Sequence, residues 1–383
     1  MNKLLLGTTA LVGASFAASA ALAAPTVRIG GYMDFQAGMS SQDIDGFGPA
    51  PGVAAVNNNE RGFGFVTDTE LLIRASDKLD NGLAWSVTIE LEADTDTTNA
   101  GSNNNSDETY LTLSGSWGQL VLGNQDGPVD QMDMTGDGMI SGIGVSGAKG
   151  FRRWTNTRSF ANSMHLAAAD IENTSDATKV MYYTPKIAGF QFGASYSANN
   201  ADNGRSRAQD GAGGVTGGVA NWWELGAQYE GKFSDDVSFG LALASSIGDA
   251  ERTVDNDVFA WRISGMVEFG GFTVSAGYGD DGDSRNLTAT QNDDRSSYGG
   301  GVKYATGPYQ VGVSYMRTKE GTGIAGGGDH TADVFSLSAS YALGAGLTVY
   351  ADTWHYQNDT DNAAQKVNEN KAIGALAGII ARF

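Results

Sequence analysis

Apolar side chains return at every second position through most of this chain. From Leu83 to Asp94, Leu83, Trp85, Val87, Ile89 and Leu91 share one parity, and Ser86, Thr88, Glu90 and Glu92 share the other. A period of two puts each set on its own side of an extended strand, whereas a helix would repeat every three or four residues. The preceding segment obeys the same rule: Phe63, Phe65, Leu71 and Ile73 oppose Asp68, Glu70 and Arg74. Asp80-Asn81-Gly82 between the two supplies a tight turn and makes them a hairpin. The pattern returns at Trp223–Glu230, Phe259–Phe269 and Tyr309–Tyr315. It closes the chain, where Ile373, Ala375, Ala377, Ile379, Ala381 and Phe383 form a wholly apolar face.

Two kinds of connection alternate between these segments. Seven are short, at Leu79–Gly82, Trp117–Gln119, Pro185–Gly189, Gly231–Asp236, Gly270–Gly271, Ala305–Pro308 and Leu343–Gly346. Long polar ones fall around 40–60, 94–107, 127–177, 200–220, 248–256, 280–296, 319–331 and 358–369. Seven hairpins plus a first strand near Thr26–Met39 and a last near Asn370–Phe383 make sixteen strands, with both termini on the short-turn side. No amphipathic helix or second sheet is encoded to cover the apolar face, so lipid must cover it. In hydrocarbon every unpaired backbone group costs several kcal/mol, so the sheet must close on itself. The expected fold is all-β: a 16-stranded antiparallel transmembrane β-barrel.

Composition narrows the setting. Residues 1–23 carry Lys3, an apolar run from Leu4 to Phe16 and the triplet Ala21-Leu22-Ala23, the layout of an export signal cleaved after Ala23. The rest, 24–383, has 6 prolines in all and no composition break, and reads as one domain. The formal charge of −20 becomes −21 once Lys3 is removed, which argues against a nucleic-acid partner. Cysteine is absent, which excludes disulfides and thiol or zinc–thiolate chemistry. The 54 glycines lack the third-position period of collagen, and the aromatics recur in register with the strands, which argues against disorder.

The stretches GYMDFQAGM (31–39), LTLSGSWGQLVLGNQD (111–126) and YYTPKIAGFQFGASYS (182–197), in this order, together with the terminal Phe383, resemble Gram-negative general porins. The resemblance implies a homotrimeric outer-membrane channel for small hydrophilic solutes and ions, exported by a Sec-type pathway, with short periplasmic turns and long extracellular loops. It also implies that Phe383 is a signal read by the barrel-assembly machinery, that outer-membrane lipid and lipopolysaccharide surround the barrel, and that the third long loop folds inward to narrow the pore. No cofactor is expected.

That loop, about Gly127–Ala177, is the longest connection, and folding into the lumen accounts for its length. Around it lie Asp126, Asp130, Asp133 and Asp137, then Arg152, Arg153 and Arg158. By resemblance, an acidic loop should face a basic wall across the narrowest level. The acidic set is Asp126, Asp130, Asp133 and Asp137; the basic set is Arg28, Arg61, Arg74, Arg152, Arg153 and Lys179. Any single member could instead be a solvated rim charge worth under about 1 kcal/mol. A solute-selective channel with a saturable site is the alternative within the same fold; an enzyme built into a barrel wall and a soluble β-rich adhesin are the alternatives outside it.

Three further patterns carry less. Gly142–Gly147 fits G-x-G-x-x-G with no βαβ unit around it. Asp133–Gly138 begins like a calcium loop, but its twelfth position is Gly144 and no helices flank it. His165, His330 and His355 lie far apart, without metal-site spacing.

Overall fold

A computed structural model describes residues 25–44, 62–93, 106–140, 151–155, 167–200, 218–251, 255–284, 294–322, 328–361 and 369–383. The expected signal segment 1–23, Arg61, Arg158, His165 and Gly142–Gly147 lie outside these residues.

Sixteen strands form one closed antiparallel sheet in which each pairs with its sequence neighbours and β1 (Thr26–Ile44) pairs with β16 (Asn370–Arg382). The first half continues with β2 (Phe63–Lys78), β3 (Ala84–Glu92), β4 (Ser106–Gly115), β5 (Gly118–Asn124), β6 (Thr178–Tyr183), β7 (Phe190–Asn199) and β8 (Val219–Ser234). The second half has β9 (Val237–Ala250), β10 (Val258–Phe269), β11 (Phe272–Gly282), β12 (Arg295–Thr306), β13 (Tyr309–Gly321), β14 (Asp329–Gly344) and β15 (Leu347–Thr360). Closure leaves no sheet edge in hydrocarbon. It runs to the last residue: Gly31 N–H donates to Phe383 O and Phe383 N–H donates to Gly31 O, both at 3.1 Å.

Boundaries differ from expectation in detail. β1 continues to Ile44 rather than ending at Met39, and β8 continues to Ser234 because Lys232 and Phe233 keep the alternation. The turn expected at Trp117–Gln119 sits one residue earlier, since β5 already starts at Gly118.

The outward parity is apolar and exposed, with Phe35, Phe65, Trp223, Leu243, Phe259, Phe335 and Ile373 among its members. Aromatic pairs gather at both rims. Trp117 with Tyr182, Phe190 with Tyr229, and Tyr309 with Tyr341 lie at the short-turn rim; Tyr196 with Trp223 and Trp261 with Tyr278 lie toward the long-loop rim. From Phe259 to Phe269 is ten residue steps along β10. That is about 33 Å of strand, or about 25 Å of height at a tilt near 40°, the height of a bilayer's apolar band. The strands flanking the third long loop are the shortest, seven residues in β5 and six in β6, because the chain leaves the sheet early to enter the barrel.

Candidate pore constriction

The third long loop runs around the inside of the barrel. It opens with α1 (Pro128–Gln131), whose proline stands at the helix start where its missing N–H costs nothing. α1 packs on β7, β8 and β9; a 3₁₀ turn (Thr135–Gly138) packs on β10, β11 and β12; α2 (Phe151–Trp154) reaches β1. The return limb, residues 167–177, retraces β12, β11 and β8. Buried Val129, Met132, Met134, Met139, Phe151 and Ile171 face the barrel wall, so the loop carries its own apolar layer into a lumen.

The wall is shaped to receive it. A side chain at Gly279 on β11 would stand 2.6 Å from Ile171 Cγ2, and one at Gly38 on β1 would stand 2.5 Å from the Trp154 ring. Glycine permits the loop backbone and ring to approach that closely. The loop tip is held by Phe151, stacked 6.0 Å from Tyr356, and by Trp354 Nε1–H donating to Thr155 Oγ1 at 2.8 Å.

Polar anchors complete the seat. Glu224 on β8, fully buried, accepts from Val129 N–H at 3.3 Å on the outgoing limb and from Thr174 N–H at 2.7 Å on the return limb. One carboxylate therefore staples both limbs. Arg262 on β10 donates to Val129 O and lies 3.5 Å from Asp133. Arg295 on β12 bridges Asp281, at 2.8 Å, and Glu172 of the loop, at 2.6 Å, while Glu172 N–H donates to Asp281 Oδ1 at 2.6 Å. Buried charges persist when ion-paired or fully hydrogen-bonded: Arg262 and Arg295 have carboxylate partners, and Glu224 is held by N–H and hydroxyl donors. Ser264 Oγ accepts from Met134 N–H at 3.0 Å and Ser275 Oγ from Gly138 N–H at 2.8 Å.

A strip of inner wall on β1–β5 faces open space. A cavity of about 580 Å³ adjoins it, lined by Arg74, Ser76, Ser86, Tyr110, Thr112 and Gln119 among others. The loop meets this strip at its two ends, where Arg153 Nη2 lies 3.4 Å from Asp68 and Asp126 N–H points to Glu108 Oε1 at 3.5 Å. A closed sheet with an apolar exterior, an infolded third loop and an aqueous strip beside it is the anatomy of one family. The family model described as Gram-negative porin matches residues 7–361. The chain belongs to the Gram-negative porins.

The porin has relatives at modest identity. An uncharacterised protein of Rickettsia conorii is 23% identical over 369 residues, 79% of this chain and 80% of that one. The anion-selective porin from Comamonas acidovorans superposes with a TM-score of 0.64 at 20% identity. OmpT of Vibrio cholerae, in its trimer form, superposes with a TM-score of 0.59 at 12% identity. Each superposition covers 94% of this chain and 100% of the other, and at these identities the likeness is one of fold.

The porin's expected constriction residues occupy different places. Asp126 and Asp130 sit at the loop's root. Burial pushes Asp130 well above the usual carboxylate range, with Asp126 and Asp170 adding to the effect and Arg262 opposing it; Asn173 Nδ2 donates to it at 3.2 Å. Asp126 is likewise raised by burial, against the pull of Lys179. Asp133 accepts from Thr135 N–H and Oγ1 at 3.0 and 2.8 Å, so its carboxylate serves its own turn. Asp137 stands exposed on that turn, pushed up to about 6 by desolvation although Lys303 opposes the shift. Lys179 is buried on β6 and donates to Ser175 O. Arg152 and Arg153 belong to α2 at the loop tip, while Arg28 and Arg74 face each other across β1 and β2 on the open strip.

Among the described residues, two clusters of three carboxylates have oxygens within 4.8 Å of one another: Asp68, Glu70 and Glu92, and Glu108, Asp126 and Asp176. Such oxygen sets are the donors a hard cation takes. Sequence reasoning missed Glu224, Arg262, Glu172, Asp281 and Arg295. The available signal was the placing of Glu224 and Arg262 between outward apolar side chains in Trp223-Glu224-Leu225 and Trp261-Arg262-Ile263, which fixes them inward but does not say what they meet.

Proposed function

We propose that the narrowest level of this outer-membrane channel lies between the infolded loop and the β1–β5 strip, and that small hydrophilic solutes and ions pass there by diffusion with a net preference for cations. The carrying observation is the asymmetry of the lumen: the loop is seated on β7–β12 and docks its tip on β15 and β1, while hydroxyl, amide and charged side chains of β2–β5 border open space. A water-filled lumen and charged lining are what a porin uses to select solutes. On loop and strip the acids Asp34, Asp68, Glu70, Glu90, Glu92, Glu108 and Asp137 outnumber the bases Arg28, Arg74, Lys78, Arg152 and Arg153, which supports the cation preference.

The remaining readings follow the family. Residues 1–23 serve as the cleaved export signal. Three copies assemble, as OmpT of Vibrio cholerae does in its trimer form. Phe383, 57% exposed beside the β1–β16 seam, is available to the barrel-assembly machinery, and lipid with lipopolysaccharide covers the outer face. Planar-bilayer recording of the purified protein tests the channel: unitary steps and a cation-directed reversal potential in a KCl gradient are expected. Absence of steps overturns the channel, and an anion-directed potential overturns the preference.

A further inference from the structure

The open strip is divided lengthwise by charge. On β1, Asp34 lies toward the long-loop rim and Arg28 toward the short-turn rim. On β2, Asp68 and Glu70 precede Arg74 and Lys78 in the same direction. β3 and β4 add Glu90, Glu92 and Glu108 to the long-loop half and the uncharged Ala84, Ser86, Thr88, Tyr110, Thr112 and Ser114 to the rest. All these residues share the inward parity. The register aligns like with like: Asp34 faces Asp68, Glu70 faces Glu92, and Arg28 faces Arg74. From Glu70 to Arg74 is four residue steps, about 13 Å along the strand.

We propose that this porin rectifies: its acidic and basic zones in series make the channel pass more current at one polarity than at the other. The inference rests on the reading of the strip as the channel wall. When the long-loop side is positive, cations are drawn in through the acidic zone and anions through the basic zone, and both accumulate where the zones meet. The opposite polarity empties that junction of both. Low-dielectric walls focus the two fields within the lumen. Offsetting charges reduce but do not erase the division: Arg153 partners Asp68, Glu230 pairs with Lys186 at 2.8 Å, and the short-turn half of the far wall carries Glu268 as well as Lys232 and Lys303. The same gradient turns a zwitterionic solute so that its ammonium end points to the long-loop rim.

Screening supplies the test. In recordings of uniformly inserted channels at pH 8, the current ratio between polarities is expected to be about 2 in 0.1 M salt, where the Debye length is about 10 Å. It should fall to about 1 in 1 M salt, where that length is about 3 Å. Joint Arg28→Gln and Arg74→Gln substitution is expected to return the low-salt ratio to about 1 and strengthen the cation preference, because one zone then disappears. Joint Glu70→Gln and Glu92→Gln substitution should lower the ratio as well, while weakening that preference. Equal currents at both polarities in 0.1 M salt overturn the proposal and leave the channel standing, as does a ratio that survives both pairs of substitutions. A protein that gives no steps overturns both.

Discussion

The two sides of the lumen have the same strand alternation and opposite chemistry. On β8–β12, where the loop lies, the inward positions hold glycines, serines and the buried charges Glu224, Arg262 and Arg295, which engage it, while Lys232, Glu268 and Lys303 stand nearer the short-turn rim. On β1–β5 the inward positions hold long charged and hydroxyl side chains that border space. Inward parity is therefore not one environment. Where the loop lies, an inward residue is a core residue, judged by volume and hydrogen bonding; where it does not, an inward residue is a channel residue, judged by its field.

The sharpest break in this contrast should come from Glu224→Ala. Both loop limbs lose their common acceptor, and each buried donor left unsatisfied costs about 1–3 kcal/mol. The expected outcome is a barrel that still resists heat on a gel but whose loop is cut by protease and whose conductance rises; an uncut loop would mean that the staple carries nothing. Trp154→Ala acts at the other end. Loss of a large ring seated on Gly38 costs about 3 kcal/mol locally, and the tip should detach while the root stays seated, which appears as noisier open-channel current.

Gly279→Val sharpens the comparison from the wall side. It drives a side chain into Ile171 and should destabilise by about 1–3 kcal/mol in urea unfolding. Ser114→Ala, on the open strip, should stay within about 0.5 kcal/mol of the parent. Equal costs at the two sites would erase the distinction between walls.

The smallest expected effect is on pH dependence. Desolvation pushes Asp137 up to about 6 and Asp176 up to about 6. Both loop carboxyls hold a proton more readily than a free aspartate, so their contribution to stability is present in acid and fades as pH rises from about 4 to about 6. Their charge follows the opposite course. As pH falls from 7 to 5 the loop loses negative charge, and the KCl reversal potential should move away from the cation limit with a midpoint near 6. Asp137→Asn should remove part of that shift.

Much of the barrel was legible because lipid imposes a rule on every strand. Alternation in Leu83–Leu91 or Ile373–Ala381 states which side is which, and the spacing of short and long connections counts the strands. The loop was legible only as length. Its path depends on contacts far apart in sequence, such as Val129 and Thr174 meeting Glu224, and no local pattern records them. The charged residues divided along the same line. Asp133 and Lys179 stand out as charges in the sequence, yet one caps its own turn and the other is buried at the loop's root. The glycines carried the missing signal: Gly277 and Gly279 on β11 and Gly38 on β1 leave the inward face without side chains, which marks a close approach without naming the partner.

The absence of cysteine makes the central claim directly measurable, because a single introduced thiol is the sole target for a water-soluble thiol reagent. Thr112→Cys places it on the open strip and Ser264→Cys places it under the loop, where Ser264 holds Met134. The first thiol should react quickly and lower the single-channel conductance while the second stays unmodified in the folded barrel. Equal reactivity at the two positions, or protection of the first alone, would contradict the claim.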